Sequence, residues 1–211
     1  MPLPVHRFFI AFARVALAAG ALLLFASQVP EASAKVLIKR LPEQHYTVRG
    51  RTHEDIGRAL RDNMVRFRPE TSELAAGLTY GILDYNFRWH RDAGGYRVAD
   101  AEVTLTLRYV YPKWVSREYA APDVVQGWDV LMAHLVIHEE QGHGAIWKES
   151  AKALEGGIMS IAPQSSKEAL AAKADEAYKS VMNTVVQRNQ AFDLLEKNNY
   201  AFKPFPWWKD R

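Results

Sequence analysis

The sequence predicts an α+β fold in which an antiparallel sheet from the N-terminal half packs with helices from the C-terminal half. Three observations carry this. Val103, Leu105, Leu107, Tyr109 and Tyr111 alternate with Glu102, Thr104, Thr106 and Arg108, the two-residue period of a half-buried strand. A glycine-containing turn at 91–95 joins that run to a preceding one rich in aromatic residues. From Trp128 onward the pattern is helical, and Pro163 falls between two such stretches.

Residues 1–34 read as a secretory signal. Arg7 and Arg14 supply positive charge, residues 15–26 form an apolar run of 12, and Ala32-Ser33-Ala34 gives a small-x-small cleavage pattern. A membrane-spanning helix needs about 20 apolar residues. The segment is therefore expected to be removed, leaving one domain over 35–211 in the periplasm or outside the cell, with no stable membrane anchor.

Residues 35–49 look like one or two short strands interrupted by Pro42, the second being His45-Tyr46-Thr47-Val48. Thr52 with Asp55 then starts a helix, carried by Ile56, Leu60, Met64 and Phe67 and ending before Pro69. In residues 78–90, Phe87 and Trp89 share one strand face, and Arg91-Asp92-Ala93-Gly94-Gly95 turns the chain. Val103, Leu105, Leu107, Tyr109 and Tyr111 line the inner face of the next strand, which Pro112 ends. A helix from Trp128 to about Leu154 is distorted near Gly142 and closed by Gly156-Gly157. Ser165 and Glu168 form the capping box of a last helix, with Val181, Val185 and Phe192 among its apolar positions.

Composition excludes several function classes. Lys and Arg number 27 against 24 Asp and Glu, a net charge of +3, which is no electrostatic footprint for nucleic acid. Without cysteine there is no disulfide, no thiol nucleophile and no lipoprotein anchor. Serine-nucleophile and phosphate-binding glycine motifs are also missing from the sequence.

Chemistry concentrates in His134-Leu-Val-Ile-His138-Glu139-Glu140-Gln141-Gly142-His143, which holds three of the seven histidines. A zinc protease helix of the His-Glu-x-x-His type needs two histidines four apart, so that both imidazoles reach one metal, with the intervening glutamate activating a water. Here the interval is five. At about 100° per residue a regular helix turns His143 about 140° away from His138. A π-bulge absorbing one residue, or a bend at Gly142, would bring the two together. Alternatively His134 and His138 form the ligand pair, with His143 or a distant carboxylate completing it. The plainest reading leaves His134 in the core and His138, Glu139 and Glu140 on a solvated face.

The export signal, the strand-rich first half and the segment Trp128-Asp-Val-Leu-Met-Ala-His-Leu-Val-Ile-His138-Glu139, followed by His143-Gly144, resemble the bacterial DUF922 family. Members of that family are expected to be secreted zinc-dependent proteases with a zincin-like helical half. The likeness runs from roughly residue 45 to residue 193. It implies a Zn²⁺ ion held by His138 and His143, Glu139 as general base, and one residue inserted within 140–142. It also aligns Phe192-Asp193 with a Tyr-Asp pair that precedes a Thr-x-His-Gly motif in such proteins, although no histidine follows here. The third ligand expected is Glu149, six residues beyond His143, with Glu155 and Asp193 as alternatives. His134 is assigned to the core or to orienting a ligand.

The expected function is an exported zinc metallopeptidase acting on a peptide or protein substrate. The alternative is a non-catalytic periplasmic binding or scaffold protein whose metal site is structural or degenerate.

Overall fold

The computed structural model describes residues 34–63, 65–68, 73–196 and 205. Its elements are β1 (Ala34–Arg40), β2 (Gln44–Val48), α1 (His53–Asn63), β3 (Val65–Arg68), β4 (Glu73–Ala75), β5 (Leu78–Asp92) and β6 (Gly95–Trp114). A 3₁₀ turn (Arg117–Tyr119) leads into α2 (Pro122–Val136), a π-helix (Ile137–His143), α3 (Gly144–Met159) and α4 (Lys167–Glu196). The expected signal segment lies outside the described residues apart from Ala34, which begins β1. The described residues, which begin at Ala34, fall in one compact unit.

The alternating run becomes the middle of β6, the strand on which the main sheet is built. Val103, Leu105, Leu107, Tyr109 and Tyr111 are all buried, as half-buried alternation requires. β5 pairs antiparallel with β6 from Asp92↔Gly95 to Leu78↔Val110. The hairpin turns at Ala93-Gly94, where the Asp92 carboxylate accepts the Gly94 N–H at 2.7 Å. Gly95 has φ +119°, a conformation side chains disfavour, and its backbone lies against the Gln164 carbonyl.

The sheet is mixed, not antiparallel as expected. β1 and β2 both pair parallel to β6, at Ala34↔Ala101 and Gln44↔Val110 respectively. The register slips by one residue across Pro42, so the two behave as one bulged strand. Side-chain alternation is the same for either pairing direction, which is why the pattern could not reveal it.

Three boundaries also differ. β6 runs through Pro112 to Trp114, because β5 stops pairing at Val110 and this stretch is hydrogen-bonded through β2 alone. α1 stops at Asn63 and 65–68 turn to strand, so Phe67 lies outside the helix. The cap of α4 is Ser166, whose Oγ accepts the Ala169 N–H at 3.1 Å, one residue later than expected. At α1 the reading holds: Thr52 Oγ1 accepts the Asp55 N–H at 3.1 Å. α3 continues through Gly156-Gly157 to Met159.

One face of the sheet packs on the helices. Val103, Leu105 and Leu107 share a core with Leu131, Leu135, Leu154 and Ile158, and Trp128 packs on Trp114 with ring centroids 5.3 Å apart. Trp147 lies on β5 at Gly81, where a Cβ would enter the indole ring. Gly81→Ala is therefore expected to destabilise the fold by about 1–3 kcal/mol, the usual cost of overpacking, measurable as a lower urea midpoint. An unchanged midpoint would mean that Trp147 can shift freely. Among the described residues no helix is long and apolar enough to cross a membrane.

Candidate metal centre

The extra residue between His138 and His143 is absorbed by a π-helix over Ile137–His143. The Gly144 N–H bonds to the Glu139 carbonyl, five residues back. A residue five positions on thus returns above its predecessor, as a fourth residue does in an α-helix. His138 Nε2 and His143 Nε2 come to 3.1 Å of each other. Of the two ways to reunite the histidines, the bulge is the one realised.

Neighbouring elements hold this wider turn. Thr79, near the start of β5, lies with its Oγ1 3.0 Å from the Glu139 carbonyl. Arg40 at the end of β1 donates to both oxygens of Glu140 at 2.8 and 2.7 Å, a bidentate clamp from the sheet edge. Gly142 leaves room for the Phe192 ring of α4, which a Cβ would overlap.

α4 closes the site. Asn189, Phe192 and Asp193 occupy one helical face at i, i+3 and i+4. Asn189 Oδ1 lies 2.6 Å from His143 Nδ1. Because Asn189 Nδ2 donates to the Val185 carbonyl at 2.8 Å, its Oδ1 is left to accept, so Nδ1 of His143 carries a proton and Nε2 is the atom that takes up either a second proton or a metal ion. Phe192 stacks on His138 at 4.7 Å and meets His143 edge-on at 5.2 Å. His138 Nδ1 is buried without a hydrogen-bond partner, so stacking and the contacts of Nε2 orient that ring. Asp193 Oδ1 lies 2.9 Å from His143 Nε2 and 3.4 Å from His138 Nε2.

Glu139 is 3 % exposed, and its Oε2 sits 2.7 Å from Thr79 Oγ1. Burial raises its pKa, opposed by the charge of His143 and by the Thr79 bond. For His143 burial acts downward. The Asp193 bond, the Glu139 charge and the Asn189 bond together outweigh it and raise the pKa. Asp193 is pushed up by burial but held by the two imidazoles at about 2. Two imidazoles converging on one carboxylate favour a cation among them, whether proton or metal ion.

The fit to a divalent metal can be tested on edge lengths. Zinc bonds of about 2.0–2.1 Å in tetrahedral geometry separate neighbouring donors by about 3.3 Å. The two imidazole nitrogens at 3.1 Å, with Asp193 Oδ1 at 2.9 and 3.4 Å, have that spacing. One ligand atom each from His138, Glu139 and His143 also lies within 4.8 Å of the others. The donors present fit such an ion.

Glu149 is not brought to this group. Its carboxylate accepts from Arg188 at 2.6 Å on the surface. Since α3 continues as a regular helix past His143, six residues turn Glu149 about 240° around the axis. His134 also stays outside the group, its ring 5.9 Å from that of His138. Trp128 and Trp147 are core residues, as expected. Sequence reasoning missed Thr79, Asn189 and Arg40. A lone Thr on the inward face of an otherwise apolar strand start was the available signal for Thr79.

The family model of DUF922, described as a bacterial protein of unknown function, matches residues 43–199. No curated protein and no solved structure matches the chain.

Proposed function

For this chain, which belongs to the DUF922 family, we propose the function of an exported zinc-dependent peptidase whose general base is Glu139. The observation that supports it most is the π-helix, which makes the five-residue interval equivalent to the His-Glu-x-x-His spacing. His138 and His143 would hold the ion. When bound, zinc supplies Lewis acidity that polarises a peptide carbonyl and lowers the pKa of water.

The chain's own groups supply the proton transfers. Glu139 takes a proton from water as its oxygen bonds to the carbonyl carbon. It then delivers that proton to the departing amine as the C–N bond breaks. Burial suits this role, because it lowers the cost of the protonated carboxyl. Thr79 steadies Oε2 during the exchange. Asn189 keeps His143 in the tautomer that leaves Nε2 free to bind. Residues 1–34 are proposed as the export signal, so that the N-terminus of the exported chain falls at Lys35.

The test is zinc per chain, alongside cleavage of a broad peptide library with and without chelator. The wild type is expected to carry about one zinc, and His138→Ala/His143→Ala none above background. N-terminal sequencing of the exported chain checks the signal. A wild type that takes up no zinc even when it is added would overturn the metal site. Zinc uptake without any cleavage would overturn the peptidase and favour the binding or scaffold role.

A further inference from the structure

We propose that Asp193 is the third metal ligand, so that the ion clips the last turns of α4 onto the π-helix. This deepens the metal-site reading and rests on it. Two carboxylates compete for the third place, and their surroundings differ. Glu139 Oε2 is 2.7 Å from Thr79 Oγ1, and Oε1 packs against Gly77, where a Cβ would come within 2.8 Å of it. Thr79 of β5 thus bonds one oxygen of Glu139 from the side of the sheet, while Gly77, just before β5, packs against the other. Asp193 faces the two imidazoles instead, and its Oδ1 contacts both Nε2 atoms. The triangle of His138 Nε2, His143 Nε2 and Asp193 Oδ1 has edges of 3.1, 2.9 and 3.4 Å, near the spacing of about 3.3 Å that one tetrahedral ion demands. With Asp193 as ligand, Glu139 is left for proton transfer.

The consequence for α4 follows from where it is buried. Leu170, Ala174 and Val185 anchor its first two-thirds. Beyond Val185 its described contacts with the rest of the molecule include those of Asn189, Phe192 and Asp193 around the histidines and the exposed Arg188–Glu149 pair. An ion shared by Asp193 and the two histidines ties those turns to the core. Without it, the contacts described for those turns are the Asn189 hydrogen bond, the Phe192 ring and the ion pairs of Asp193 and Arg188, none of them covalent or coordinate. Such a segment opens more readily.

The experiment measures zinc affinity by competition with a chromophoric chelator in the full chain, for wild type, Asp193→Ala, Asp193→Asn, Glu139→Gln and Glu149→Gln. Circular dichroism confirms the fold of each. Hydrogen exchange over residues 186–196 is followed with and without zinc. Asp193→Ala is expected to weaken zinc binding at least about 100-fold, and the isosteric Asp193→Asn about 10-fold or more. Glu139→Gln and Glu149→Gln should stay within about threefold of wild type. Zinc should slow exchange at 186–196 in the wild type and not in Asp193→Ala. Wild-type affinity in both Asp193 variants overturns this assignment alone, as does a loss confined to Glu139→Gln. Failure of the wild type to bind zinc overturns the metal-site reading along with it.

Discussion

Glu139→Gln is expected to leave zinc bound and the fold intact while turnover falls about 10²–10⁴-fold, the range that general acid–base catalysis contributes. The substitution preserves shape, and the amide oxygen can still accept from Thr79. What it removes is the capacity to hold a proton in transit. A buried carboxylate is costly to keep ionised, and burial already pushes the Glu139 pKa upward. Neutralising it relieves that cost, so the melting temperature should hold or rise. Lost turnover with retained or greater stability is the pattern expected of a strained catalytic group, and a merely structural glutamate would give the opposite. The check is steady-state cleavage of a selected peptide, with zinc content and thermal unfolding measured on the same samples. Turnover within threefold of wild type would remove Glu139 from its role. Loss of zinc together with turnover would make it a ligand.

The five-residue interval was legible as an anomaly, and the two ways of repairing it could be stated from helix geometry. The choice between them depended on parts distant in sequence. Gly142 tolerates Phe192, the Glu139 carbonyl lies beside Thr79, and Arg40 clamps Glu140 from the edge strand. The strength of the alternating pattern made β6 readable, because burial of one face dictates every second residue. Pairing direction escaped, since β1 and β2 would show the same alternation in either orientation. Asp193 appeared only as an alternative ligand, because helical spacing cannot say which face of a 30-residue helix docks on which neighbour. Glu149 was attractive by interval alone, a criterion that presupposes a turn after His143. The chain forms a helix there instead.

The bulge itself makes the last prediction. Deleting Gln141 leaves His138-Glu139-Glu140-Gly142-His143, in which the histidines are four apart. The Gly144 N–H to Glu139 carbonyl bond then spans four residues where it now spans five. Both its ends can stay in place as the π-turn becomes an ordinary α-turn. Gln141 is exposed, while Glu140 and Gly142 keep their contacts with Arg40 and Phe192. Zinc affinity is expected to remain within about tenfold of wild type, a change of no more than about 1.4 kcal/mol. Deleting Lys148, equally exposed, should behave in the opposite way. It keeps the π-turn's interval but removes a residue between His143 and the buried positions Ser150, Ala151 and Leu154. Either that buried face of α3 rotates about 100° out of the core, or residues 143–147 rotate to save it and carry His143 away from His138. Both routes lose the site, so zinc binding should fall more than about 100-fold or the protein should fail to fold. Paired zinc titrations and circular dichroism of the two deletions decide the matter. If the Gln141 deletion also abolished zinc binding, the wide turn would be a requirement of the site and not an insertion that the helix has absorbed.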